Sequence, residues 1–228
     1  MPGIAYPELP YDFAELEPAM SRDALWFHFS QHQRGCFDRA MALVQGTEFE
    51  HLALEDLLRA TARAPKHRAV FCHAAGSWNH NFFWKSMRPG GGGEARGLIA
   101  ECIRARFGSY ADFAREVKDK AARLFGNGWL WVTWKAGAIR IVATANADTP
   151  IVRGHVALLA LDLWEHAYYL DHQNRRTAYV TTFLEELVDW DFANRNLAGV
   201  IEAPPAPRSR RGRDARVARG TASGSRAP

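Results

Sequence analysis

Asp162-Leu163-Trp164-Glu165-His166-Ala167-Tyr168-Tyr169 sets a carboxylate and an imidazole four residues apart, directly behind the apolar run Val156-Ala157-Leu158-Leu159-Ala160-Leu161. An apolar run of that length reads as a buried strand, so Asp162 and His166 leave the end of a core element together. Ionisable groups are expensive to bury unless they are paired or hold a metal, and imidazole with carboxylate suits a transition metal. The spacing alone fits equally a plain Asp–His hydrogen bond at a strand end. Two further ligands of the right type, elsewhere in the chain, decide between these readings.

Working outward from that strand, the chain divides into helical and mixed parts. Residues 1–20 are Pro-rich and predict an extended start. Ser21 is an N-cap candidate for a helix from Arg22 to about Val44 that carries His28 and His32, four apart and so on one face. Leu54–Ala60 predicts a shorter helix and Lys66–Ser86 a second long one, before Met87-Arg88-Pro89-Gly90-Gly91-Gly92-Gly93 interrupts the pattern. Ala95–Phe107 and Ser109 to Arg123 have helical periodicity, with Ser109 and Asp112 as a capping pair. Trp129–Trp134 and Ala138–Thr144 predict a hairpin turning at Lys135-Ala136-Gly137, Val156–Leu161 a third strand, and Ala178 to about Ala198 a terminal helical region. The class is therefore α+β: a long helical hairpin, then an α/β part with a three-stranded antiparallel sheet. The domains fall at 1–90 and 91–202, with a tail at 203–228.

Composition narrows the function. The pI near 9.1 is a property of the tail. Residues 203–228 hold seven arginines against Asp214, a charge of 7 − 1 = +6, and the whole chain is +4, so residues 1–202 sum to −2. Such a Pro/Gly/Ser/Ala/Arg segment has too little apolar surface to fold and is expected to be a disordered, solubilising extension. Nonspecific contact with anions is the one interaction its charge suggests, and the folded part does not read as a nucleic-acid binder. No stretch approaches the ~20 apolar residues of a membrane span. The N-terminus lacks a signal-peptide pattern, and Cys36, Cys72 and Cys102 are odd in number and widely spaced, as in a reduced compartment. A cytoplasmic protein is expected.

His28, in Trp26-Phe27-His28-Phe29, and His80, in Asn79-His80-Asn81-Phe82-Phe83-Trp84, are the candidate remaining ligands. With these blocks the sequence resembles the iron/manganese superoxide dismutase family over roughly residues 4–200. Asp162 to Tyr169 looks like the family signature and Asn79 to Trp84 like its second block. Phe107-Gly108-Ser109-Tyr110-Ala111-Asp112-Phe113 and Phe125-Gly126-Asn127-Gly128-Trp129-Leu130-Trp131 match two more, in the family's order.

The resemblance implies that His28, His80, Asp162 and His166 bind one Fe or Mn ion per subunit, with a water or hydroxide as fifth ligand. It implies disproportionation of superoxide: one molecule gives up an electron and leaves as oxygen, and a second accepts it and leaves as hydrogen peroxide after taking two protons. It implies a homodimer, or a tetramer, in which Glu165 reaches His166 of the partner subunit and Tyr169 reaches His32 of the partner subunit. Trp84, Trp129, Trp131 and Trp164 would wall the site against water, although ordinary core packing accounts for Trp131 as well.

Three positions depart from the family pattern, and a fourth departs more mildly. Eight residues after His28, where the family carries Tyr, stands Cys36. Four residues before His80, where iron enzymes carry Gln, stands Gly76. Manganese enzymes supply that Gln in an Asn-Gln-Asp sequence, which here reads Asn146-Ala147-Asp148. The position often basic beyond Tyr169 is Gln173, beside His172. The expectation is an intact metal site with reduced turnover, since a hydrogen bond to a charged group is worth about 1.5–3 kcal/mol and each 1.36 kcal/mol is tenfold in rate. Cys36 is expected to be either a reactive thiol or a small apolar filler. The competing functions are another oxygen or peroxide chemistry at the same ligands, or a metal-binding or interaction protein without catalysis. Ala74-Ala75 and Trp78 look iron-type, Gly76 and Asp148 manganese-type, so the residues leave the metal open.

Overall fold

The computed structural model describes residues 5–201; the Arg-rich stretch at 203–228 lies outside them. Helices α1 (Arg22–Phe27) and α2 (Arg34–Val44) are joined by a π-helical turn, His28–Gln33. Ser21 caps α1 by accepting the Ala24 N–H at 3.2 Å. The single straight helix expected over Arg22–Val44 is therefore interrupted where its histidines lie. A π turn carries one extra residue per turn and often marks a functional position.

Residues 11–20 also differ from the extended start the prolines predict. They coil through turns, with Met20 N–H donating to the Leu16 carbonyl at 3.0 Å, because this buries Tyr11, Leu16 and Met20 in the core. Helices α3 (Leu54–Thr61) and α4 (Arg68–Lys85) follow, the latter preceded by a short 3₁₀ turn at Pro65–His67. Helix α4 packs on α2, on α3 and on the sheet, and eleven of its residues are buried, from Val70 to Trp84. A helix covered on several sides carries no polar stripe.

Helices α5 (Leu98–Phe107) and α6 (Tyr110–Arg123) come next, Ser109 capping α6 through the Asp112 N–H at 3.0 Å as its spacing predicts. Strands β1 (Gly128–Lys135), β2 (Ala138–Ala145) and β3 (Val156–Asp162) form an antiparallel sheet in the order β2-β1-β3. The β1–β2 turn is Ala136-Gly137, both at positive φ (52° and 79°), the two-residue geometry that matches strand twist. Central β1 is buried on both faces through Thr133, and β3 from Ala157 through Asp162, which explains their near-continuous apolar sequence.

The chain ends in α7 (Tyr169–His172), α8 (Arg176–Thr182), a π turn at Phe183–Leu187 and α9 (Trp190–Ile201). The terminal helix expected over Ala178–Ala198 is thus broken at Val188-Asp189. Val188 turns extended and pairs with Met87, Asp189 donates its N–H to the Ser86 carbonyl, and the Asp189 carboxylate accepts the Phe192 N–H to start α9. The glycine run lies along the same segment. A Cβ on Gly92 would fall 2.2 Å from the Glu185–Glu186 peptide, and one on Gly91 2.4 Å from the Leu187 carbonyl oxygen. These glycines let two backbones touch.

Candidate metal centre

Four elements deliver the centre. His28 opens the π turn, His80 sits within α4, Asp162 is the last residue of β3 and His166 lies in the short turn Glu165–Ala167. One ligand atom from each of His28, His80, Asp162 and His166 can be chosen so that all lie within 4.8 Å of one another. The Nε2 atoms of His28, His80 and His166 stand 3.2, 3.4 and 3.1 Å from the same oxygen, Asp162 Oδ2. The other carboxylate oxygen, Oδ1, accepts the Trp164 N–H at 2.9 Å.

Only His166 meets Oδ2 in hydrogen-bond geometry; the Nε2 atoms of His28 and His80 are buried with no hydrogen-bond partner among the described residues. Buried polar atoms left so are rare and call for an explanation. A cation among the three imidazoles and the carboxylate supplies it, since each Nε2 lone pair then has a partner. The donor set, nitrogen and one anionic oxygen, suits iron or manganese.

Protonation fits the same reading. Burial pushes His28 well below the usual imidazole range, with repulsion from His166 and His80 adding to it. Burial alone would raise Asp162, but His166 and the other imidazoles outweigh it and hold the carboxyl well below the usual range. His80 donates Nδ1–H to the Gly76 carbonyl at 2.6 Å, which fixes the tautomer that leaves Nε2 unprotonated. The centre thus sets an uncharged His28 imidazole and the Nδ1–H tautomer of His80 against one carboxylate.

The surroundings separate into wall and rim. The Trp84 ring lies 4.7 Å from His28, Trp129 5.0 Å from His80 and Trp164 5.7 Å from His166, centroid to centroid. Trp131 is fully buried behind them, stacked near Trp78 at 5.8 Å with its indole N–H on Thr144, which is core packing. His32 is half-buried and stacks on His166 at 3.7 Å. Burial, then repulsion from His166 and His80, brings its pKa down to about 3. Glu165 and Tyr169 are exposed on the outer side, and Glu165 makes no ion pair among the described residues of the chain.

Cys36 is half-buried beside Gly76, and burial, then the Asp162 charge, raises its pKa. A thiol so held keeps its proton and is a poor nucleophile, which favours the filler reading over the reactive one. Ala147 offers its carbonyl to Asn79 Nδ2 at 3.2 Å, so position 147 sits one residue-contact away from the His80 segment.

Sequence reasoning missed Gln33. Its Oε1 accepts the Trp84 indole N–H at 2.5 Å and its Nε2 donates to Asn81 at 2.5 Å, so it ties α4 to the turn carrying His28. Its one signal is the five-residue step from His28, a single π turn, which cannot be seen without knowing that the turn exists.

Two family models cover the described chain. The iron/manganese superoxide dismutase α-hairpin domain matches residues 4–88, and the C-terminal domain of the same family matches residues 95–196. Among characterised relatives, the superoxide dismutase [Fe] of Synechocystis is 42% identical over 196 residues, covering 86% of this chain and 98% of that protein. The superoxide dismutase [Fe] of Legionella pneumophila is 43% identical over 192 residues (84% and 97%), and that of Escherichia coli 40% over 193 residues (84% and 97%). With both family domains matched in order and relatives aligned over nearly their whole length, the chain belongs to the iron/manganese superoxide dismutase family.

Proposed function

We propose that the protein is an oxidoreductase that disproportionates superoxide to oxygen and hydrogen peroxide at one iron ion per subunit, held by His28, His80, Asp162 and His166. The observation that carries this is the convergence of three imidazole Nε2 atoms on Asp162 Oδ2, two of them buried and without hydrogen bonds. Iron is preferred to manganese because the relatives aligned over the chain are named as iron enzymes.

When bound, the ion stores one electron between the two superoxide molecules. Asp162 contributes an anionic oxygen that offsets the cation's charge in a dry site. Gly76 holds the proton of His80 on Nδ1, away from the centre. Trp84, Trp129 and Trp164 exclude bulk water, and His32 and Tyr169 line the rim through which a small anion enters. No glutamine stands at 76 or 147 and no tyrosine at 36, so the hydrogen bonds that tune bound solvent are missing and slow turnover is the expectation. Cys36 keeps its proton on sulfur and acts as filler.

Around this centre we place the finer assignments. Glu165 bridges to His166 of the partner subunit and Tyr169 to His32 of the partner subunit, in a homodimer that a tetramer could extend. The exposed apolar groups Phe27, Tyr169 and Leu170 suit such burial. Residues 1–90 and 91–202 form the two domains, and the +6 stretch 203–228 makes at most nonspecific contacts with anions. No helix among the described residues is long and apolar enough to cross a membrane; with the unpaired cysteines this suits a cytoplasmic site.

Metal content of the purified protein, followed by superoxide decay for the iron-loaded and manganese-loaded forms, tests the proposal. Stoichiometric iron with measurable decay supports it. Absence of stoichiometric metal, or faster decay with manganese than with iron, overturns the enzyme reading or the choice of metal respectively.

A further inference from the structure

Two of the positions singled out in the sequence, 36 and 76, meet in space. Cys36 lies on α2 and Gly76 on α4, the facing helices of the hairpin. A Cβ on Gly76 would stand 3.2 Å from Cys36 Sγ and 3.5 Å from Cys36 Cβ. The second distance is ordinary van der Waals contact, whereas the first requires the sulfur to give way. Within a helix the side chain has few staggered alternatives into which to swing. Gly76 is also the residue whose carbonyl accepts the His80 Nδ1 proton at 2.6 Å. The sulfur therefore borders the open side of the glycine whose carbonyl holds the imidazole.

We infer that Cys36 and Gly76 are a single sterically coupled pair: the Cys36 sulfur crowds the space in which a side chain at position 76 would begin, and the missing Cβ lets the Gly76 carbonyl sit where it orients His80. Any side chain placed at position 76 meets the thiol at its first carbon. The steric pairing stands on the metal-free protein alone; only its consequence for metal retention rests on the reading of His80 as a ligand.

A double-mutant cycle on metal-free protein tests the pairing. Alanine is favoured over glycine inside a helix, so in a Cys36→Ala background Gly76→Ala should raise the thermal midpoint by about 2–4 °C. With Cys36 in place the same change should gain nothing or lower the midpoint. Equal shifts in both backgrounds overturn the inference, as does a Gly76→Ala protein that fails to fold in either; folding rescued by Cys36→Ala supports it. The positioning role is read from the ring N–H resonance of His80 in histidine-labelled protein. Gly76→Ala should move it and added Cys36→Ala should return it, and a resonance that never moves refutes positioning. Iron per chain completes the test: Gly76→Gln should retain less than Cys36→Ala/Gly76→Gln, and equal retention overturns the steric claim.

Discussion

Trp164 donates its backbone N–H to Asp162 Oδ1 at 2.9 Å, so one oxygen of the buried carboxylate is committed to the chain and the other is left facing three imidazoles. The short turn after β3 thereby aims the carboxylate as well as delivering His166. Asp162→Asn keeps the shape but removes the charge. Loss of outer-sphere partners of metal ligands typically weakens binding about 10–100-fold, and loss of this ligand should exceed that. Iron content after dialysis against a weak chelator should fall far below one per chain, and retention equal to wild type would refute the assignment.

Gln33→Leu should cost stability without touching a ligand. It strands the buried Trp84 indole N–H, an unsatisfied group costing about 1–3 kcal/mol, and removes the donor to the half-buried Asn81 oxygen. Chemical denaturation should show a loss of that order, and Trp84→Phe in the same background should recover part of it by removing the stranded donor.

Gly92 and Gly90 make a controlled pair. Both have positive φ, 75° and 60°, but only Gly92 has backbone where a Cβ would be; Gly90 faces open space. Gly90→Ala should cost the left-handed strain alone, about 1–2 kcal/mol. Gly92→Ala adds a further 1–3 kcal/mol or so of overpacking and should show the clearly lower midpoint.

The buried histidines set a pH dependence for the metal-free protein. Burial lowers His28, and burial with repulsion from His166 and His80 lowers His32 to about 3, while the unfolded chain titrates near 6.5. Below that unfolded value the unfolded state binds more protons, so stability falls as pH falls from about 6.5 toward about 3. Denaturation midpoints measured across that range should decline, and His32→Gln should flatten the slope; a pH-independent midpoint would contradict the burial of neutral imidazoles.

Glu165→Ala should weaken self-association under the proposed dimer, in which this exposed carboxylate, without an ion pair among the described residues, bridges to the partner subunit. Light scattering across a dilution series should show monomer appearing at higher protein concentration than for wild type.

Much of this was legible in the sequence. The three strands were marked by β-branched and aromatic runs around Ala136-Gly137, the helix starts by Ser21 and Ser109, and the family by blocks whose order a resemblance could match; the four candidate ligands those blocks name converge in space. What stayed hidden has a common cause. The π turn at His28–Gln33, the role of Gln33 and the break at Val188 are imposed by contacts with distant backbone and side chains, and no local propensity announces them. Asp189, three residues before Phe192, carried a capping signal that could have split the terminal helix. Gly91 and Gly92 read as a flexible interruption, whereas their missing side chains serve a close backbone contact with residues 185–188.

The four converging residues are drawn from both ends of the polypeptide, His28 and His80 early and Asp162 and His166 late. A chain grows from its N-terminus, and the early segments fold first. Two histidines therefore emerge from the ribosome and wait, among aromatic neighbours, for partners synthesised well over a hundred residues after His28. The pocket closes only once β3 and the turn behind it have been made. With the proposed ligands, metal acquisition is an event that follows translation of residue 166, and a truncated product ending earlier would carry half a cage.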